Sequence, residues 1–277
     1  MAEASRRLGK PLDRSTRILI TNDDGVNAPG LRVLERIAKT LCDDVWVVAP
    51  ETNQSGASHS LTLQRPLRIR SYGLDENWFA VDGTPTDCVL LAVRSILKKK
   101  PIDLVLSGVN WGANLAEDVT YSGTVAAAME ATLFNIKAVA LSQVYRGRDD
   151  IQWQTAERFA PDLIKTLYAQ EWADDLLINV NFPDCEPGSV AGHQVTSQGR
   201  REGQGEPLEE RLDPRGHPYI WIGLQSFGKA FAPGSDLQAI VDRKVSITPI
   251  HMDLTHRDSV ERIERALDSG SASRGHT

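Results

Sequence analysis

Short continuous apolar runs alternate with amphipathic stretches through the first two thirds of the chain, and polar turns separate them. Arg17 to Thr21 reads as a buried strand and Asn22 to Asn27 as a turn. Leu31, Leu34, Ile37, Ala38 and Leu41 then recur at the helical period, with Pro29 suited to the first turn of that helix. Val45 to Ala49 is a second apolar run, so residues 17–49 predict a βαβ unit with parallel strands. The alternation continues with a helix over about 87–97, a strand at 104–106, a helix over about 124–134, a strand at 138–141, a helix at 156–168 and a strand at 176–180. Leu61, Leu63, Leu67 and Ile69 alternate with polar residues around Pro66, which predicts an edge hairpin or excursion that Trp78 to Val81 pairs with.

The pattern changes beyond Pro183. Residues 188–216 are polar and rich in glycine and charge, and strands are expected at Tyr219 to Ile222 and Val245 to Thr248. The chain therefore reads as a flexible tail (1–16), a doubly wound α/β core (17–185) and an extension (186–277) too sparse in apolar residues for its own core. That extension is expected to pack on the core or on another subunit.

Charge and cysteine usage narrow the function classes. The net charge of −6, with no basic run longer than Lys98 to Lys100, removes the footprint expected for polymeric nucleic acid. Cys42, Cys88 and Cys185 are odd in number and unpaired in spacing, which fits a reducing cytoplasm rather than a disulfide framework. No stretch of eighteen apolar residues occurs, so no membrane span is expected.

The polar turn after the first strand is Thr21-Asn22-Asp23-Asp24-Gly25, at the end of the sheet where open α/β folds gather ligands. Two carboxylates turned inward together repel unless a cation neutralises them, and hard oxygen donors suit Mg²⁺, Mn²⁺ or Ca²⁺. The plainer alternative is ordinary turn and cap chemistry. Two further strand ends carry oxygen-rich loops, Ser55-Gly56-Ala57-Ser58-His59-Ser60 and Ser107-Gly108-Val109-Asn110-Trp111-Gly112-Ala113-Asn114. Ser122-Gly123-Thr124 opens an alanine-rich helix, where N–H groups and hydroxyls could hold a phosphate or simply cap the helix. His59 could assist proton transfer or orient phosphate, with a purely structural role equally open. No P-loop, dinucleotide fingerprint, nucleophile elbow or H-E-x-x-H spacing occurs.

Taken with Val81-Asp82-Gly83-Thr84-Pro85-Thr86-Asp87, Tyr121-Ser122-Gly123-Thr124-Val125-Ala126-Ala127-Ala128-Met129-Glu130-Ala131 and Val245-Ser246-Ile247-Thr248-Pro249, these motifs resemble the SurE survival protein family, in order, from about Arg17 to about Leu254. The resemblance implies a Rossmann-like fold and one Mg²⁺ or Mn²⁺ per subunit on Asp23, Asp24, Ser55 and Asn110. It also implies release of phosphate from 5′- and 3′-nucleoside monophosphates, with short polyphosphate as a further substrate, and a C-terminal segment exchanged between subunits of a homodimer or homotetramer. Asp23 and Asp24 are then the catalytic residues, Ser122, Gly123 and Thr124 hold phosphoryl oxygens, and Asn114 orients an oxygen or supports its loop. Arg243-Lys244 stands where the family often has Gly-Tyr. A nucleotide sensor without turnover is the competing expectation, and a purely structural oligomer a third.

Overall fold

The structure is a computed structural model describing residues 11–73, 76–145, 147, 150–201, 208–223 and 231–272; most of the expected N-terminal tail lies outside the described residues. In chain order the strands and helices are β1 (Arg17–Thr21), α1 (Pro29–Leu41), β2 (Asp44–Pro50), β3 (Ile69–Ser71), β4 (Trp78–Val81), α2 (Pro85–Leu91), β5 (Leu104–Trp111), α3 (Asp118–Tyr121), α4 (Gly123–Leu133), β6 (Lys137–Gln143), α5 (Trp153–Tyr168), β7 (Leu176–Phe182), β8 (His193–Val195), β9 (Leu208–Leu212), β10 (Pro218–Ile222), α6 (Asp236–Val241), β11 (Val245–His251) and α7 (Arg257–Ala272).

One sheet of nine strands runs in the order β3-β4-β2-β1-β5-β6-β7-β11-β8. From β4 through β7 each neighbouring pair is parallel, which is the arrangement expected from continuous apolar runs buried on both faces. Alternation sends Ile18 and Ile20 into the core layer that carries Leu31, Leu34, Ile37, Ala160 and Ile164 from α1 and α5. Leu19 faces the opposite layer, with Cys88 and Val89 of α2 and Ala127, Ala128 and Ala131 of α4. The small side chains of α4 let this helix lie almost wholly buried against the sheet. The strand order reverses at β1, since β2 lies on one side and β5 on the other, and the crevice above that junction is where a doubly wound sheet binds ligands.

Three details depart from the sequence reading. The helix expected at 87–97 begins earlier, because Thr84 and Asp87 form a reciprocal capping box, and it passes into a wider π turn over Ala92–Ile96. Of the alternating segment at 61–69 only Ile69 enters a strand, pairing antiparallel with β4. Thr62 is drawn instead to Asp87, by N–H at 3.0 Å and hydroxyl at 2.6 Å, leaving Leu61 and Leu63 exposed. Finally, residues from 186 onward supply two strands of the main sheet, with β11 antiparallel to β7 and parallel to β8. The hairpin β9–β10 and helix α7 lie outside the sheet; the hairpin strands are exposed, as are the α7 side chains over residues 257–268 apart from half-buried Ser259. Among the described residues no helix is long and apolar enough to cross a membrane.

Candidate active site

The loops after β1, β2 and β5 are stitched together around the aspartate pair. Asn22 Nδ2 donates to Gly25 O at 2.9 Å and closes the turn. Gly25 has φ +99°, and a Cβ there would stand 3.1 Å from the Thr52 backbone, so glycine lets the first two loops touch. The Val26 N–H donates to Pro50 O and the Gln54 N–H to Asp23 O, each at 2.7 Å. Ser55 is thereby next in sequence to a residue bonded to Asp23; it is exposed, and its own N–H donates to Asn53 Oδ1 at 2.7 Å. The third loop joins through the Trp111 N–H, which donates to Asp24 Oδ2 at 3.1 Å. Asn110, one residue earlier, donates Nδ2 to Gly112 O at 3.1 Å, and its amide oxygen takes no part in that bond.

Asp23 is buried against the start of α4. Its carboxylate accepts from the Thr124 hydroxyl, and the Gly123 and Thr124 N–H groups at the helix start lie close enough to favour its charge. A Cβ on Gly123 would lie 2.7 Å from Asp23 Cβ, so this approach requires glycine at the helix N-terminus. Burial pushes the Asp23 carboxyl above its ordinary range despite those donors. Burial and then the neighbouring Asp23 charge push Asp24 up to about 6, and the Trp111 N–H opposes them. Two adjacent carboxyls, both held in an environment that disfavours their charge, form a site short of positive charge.

Several expected ligands are engaged elsewhere. Ser122 Oγ accepts from the Val125 N–H at 3.0 Å as the N-cap of α4, while Gly123 and Thr124 face Asp23. Asn114 is buried, donates Nδ2 to Ser142 Oγ at 2.7 Å, and exchanges further bonds with Asn179 and Asn181, so it ties the β5 loop to β6 and β7. His59 Nε2 lies 2.9 Å from Glu130 Oε2 on α4, and Ser58 bonds the carbonyls of Thr120 and Tyr121, so the second loop is latched to the α3–α4 turn. Glu130 stands within the 121–131 motif, but nothing in the sequence assigned it a role of its own.

A second group missed by the sequence is Arg201 with Asp236. The Arg201 guanidinium bonds both oxygens of Asp118 and the carbonyl of Leu115. Asp236 accepts from the N–H groups of Ala116 and Gly199, each at 2.8 Å. These residues fasten the chain beyond β8 to the loop leading into α3. Asp236 follows Ser235, the N-cap of α6, and so reads locally as cap chemistry only.

Among the described residues no cluster of three or more His, Cys, Asp or Glu could hold a metal, so a cation here must be completed by neutral oxygens. The donor set of two carboxylates, an amide oxygen of Asn110 and the Ser55 hydroxyl is of that kind and suits a hard divalent ion. Buried Asn22 Oδ1 and Ser107 Oγ, on the two strand ends beside the pair, have no hydrogen-bond partner among the described residues. Unused buried oxygens of this kind fit a site that gathers a cation and its solvation. A cleft of about 240 Å³ beside Glu35, Lys39, Asp43 and Trp78 lies at the other end of β2, where Glu35 is already paired with Lys39 and Arg32.

Comparison with known proteins identifies the family of the chain. The family model for survival protein SurE matches residues 18–205. A protein of Paramagnetospirillum magneticum named 5′-nucleotidase SurE is 56% identical over 253 residues, covering 91% of this chain and 96% of its own. A protein of the same name from Rhizobium meliloti is 55% identical over 258 residues, covering 92% and 99%. The crystal structure of the SurE protein from Aquifex aeolicus superimposes with a TM-score of 0.79 at 40% identity, over 90% of this chain and 99% of that one. The expected fold class is borne out by that likeness, and the chain belongs to the SurE survival protein family.

Proposed function

We propose that this chain is a divalent-metal-dependent phosphomonoesterase that releases phosphate from 5′- and 3′-nucleoside monophosphates and from short-chain polyphosphate. The observation that carries it is the pair of buried Asp23 and half-buried Asp24, both with carboxyls raised above their ordinary range, at the crevice where three oxygen-rich loops meet. The names of the relatives, 5′-nucleotidases, support the substrate class.

Asp23, Asp24, Ser55 and Asn110 would hold one Mg²⁺ or Mn²⁺. When bound, that ion supplies charge neutralisation at the phosphoryl oxygens and activates water at neutral pH. The chain's own residues set the geometry. Thr124 and the α4 N-terminus fix Asp23, and the Trp111 N–H fixes one oxygen of Asp24. With Asp23 buried and accepting from the Thr124 hydroxyl, the half-buried Asp24 would be the better placed acceptor, through Oδ1, for the proton of the attacking water. The start of α4 turns its positive dipole end toward the same point, so the Gly123 and Thr124 N–H groups would share their donors between Asp23 and phosphate, with Ser122, Asn114 and His59 shaping the walls.

The same reading includes a homodimer or homotetramer. Leu208, Leu212, Ile220, Trp221 and Ile222 of the β9–β10 hairpin, with Val260, Ile263 and Leu267 of α7, are exposed apolar residues that a second copy would cover. Three free cysteines suit a cytoplasmic location. Phosphate release would be measured on 5′- and 3′-monophosphates and on tripolyphosphate, with EDTA, Mg²⁺ or Mn²⁺. Metal-dependent release from the monophosphates is expected; tight nucleotide binding by the folded protein with no release under any metal would replace this reading with a nucleotide sensor.

A further inference from the structure

Trp111 stands out beside the carboxylate pair because it is both large and open. Its side chain is 52% exposed, whereas Val109, two residues earlier on the same strand, is fully buried. Its backbone N–H holds Asp24 Oδ2 at 3.1 Å, so the indole is anchored one side chain away from the proposed metal carboxylates. Tyr145, two residues beyond the end of the neighbouring strand β6, meets the indole edge-on, with ring centroids 6.0 Å apart and planes at 86°. An edge-on neighbour braces the ring and leaves area on it for a flat partner.

We propose that Trp111, braced by Tyr145, is the nucleobase platform of this site and sets its preference for nucleoside over simple phosphate esters. The inference rests on the nucleotidase reading and deepens it. A phosphate held at Asp23 and Asp24 carries its base one ribose away, within the indole's reach. Stacking on an indole reads the π-face, which every base has, rather than the hydrogen-bonding edge. The site therefore takes all four bases, purines better than pyrimidines because their two fused rings cover more of the indole. An apolar platform beside a charged phosphate site also explains why a large aromatic stays exposed at the crevice instead of joining the core.

Trp111→Ala removes the ring while keeping the N–H that holds Asp24, and Trp111→Phe keeps a smaller ring. Steady-state kinetics at saturating Mn²⁺ on adenosine, guanosine, cytidine and uridine monophosphates are compared with ribose 5-phosphate, which has no base. Trp111→Ala is expected to raise KM for the purine nucleotides by about tenfold, with kcat/KM for ribose 5-phosphate changed by no more than about twofold, and Trp111→Phe to recover most of the loss. Nucleotide binding read by quenching of intrinsic tryptophan fluorescence is expected in the wild type and lost in Trp111→Phe. An equal loss on ribose 5-phosphate and on nucleotides would overturn the platform, because the residue would then act only through Asp24 and its loop. If the wild type released no phosphate from any ester the nucleotidase reading would fail, and the quenching comparison would still decide whether bases stack on Trp111.

Discussion

Removing one of the proposed metal carboxylates should make the metal-free protein more stable. In that state Asp24 has its carboxyl raised from 3.8 to about 6, first by burial and then by Asp23. The shift is about two pH units, equivalent to roughly 2–3 kcal/mol. The sign follows from linkage. A carboxyl whose folded pKa lies above its unfolded one costs stability when ionised, fully so above about pH 6, and that cost disappears as the pH falls from about 6 to about 4. Asp24→Asn, which is close in shape and carries no charge, should therefore raise the Tm of EDTA-treated protein at pH 7.5 by about 5 °C, with the advantage vanishing near pH 4. Saturating Mn²⁺ should reverse the order, since metal at a hundred times its Kd adds about 2.7 kcal/mol to the wild type alone. Calorimetric melting of both proteins, with EDTA and with Mn²⁺, across pH 4 to 8 reads all of this. A variant less stable than the wild type in EDTA at pH 7.5, or with the same pH slope, would refute the reasoning.

Other substitutions test the loops that hold the pair. Gly123→Ala places a Cβ 2.7 Å from Asp23 Cβ and should push α4 off the aspartate, costing about 1–3 kcal/mol in stability and weakening Mn²⁺ binding by isothermal titration; unchanged affinity would show that the helix start does not position Asp23. Arg201→Met strips the counter-charge from Asp118 and the donor from Leu115, and chemical denaturation should show a loss of about 3 kcal/mol; a loss under 1 kcal/mol would mean that α6 and Asp236 hold the loop unaided. His59→Ala should reduce kcat at saturating metal by less than about fivefold, because the imidazole is committed to Glu130; a hundredfold fall would place His59 in proton transfer.

The central strands and the aspartate pair were legible in the sequence for one physical reason. Strands buried on both faces read as unbroken apolar runs, and two adjacent carboxylates at the end of such a run conflict with their surroundings unless a function explains them. Partners far apart in sequence were not legible. Nothing local in Val245 to His251 says that it pairs antiparallel with Leu176 to Phe182, and nothing local in Asp236 or Arg201 says that each reaches back to residues 115–118. The start of α4 shows a subtler limit. Ser122-Gly123-Thr124 announces a cap and free N–H groups, but whether these face an incoming anion or a neighbouring carboxylate depends on how close β1 comes. The segment around Leu61 and Leu63 misled because alternation alone does not create a strand; Thr62 found Asp87 instead of a ladder partner.

The claim that matters most is that Asp23 and Asp24 hold the ion that makes this crevice a phosphatase. Isothermal titration of Mn²⁺ into the wild type and Asp23→Asn, with phosphate release from adenosine 5′-monophosphate followed over the same metal range, tests it directly. The account predicts one ion per chain, activity that rises with occupancy, and loss of both in a folded Asp23→Asn; undiminished binding and turnover in that variant would contradict it.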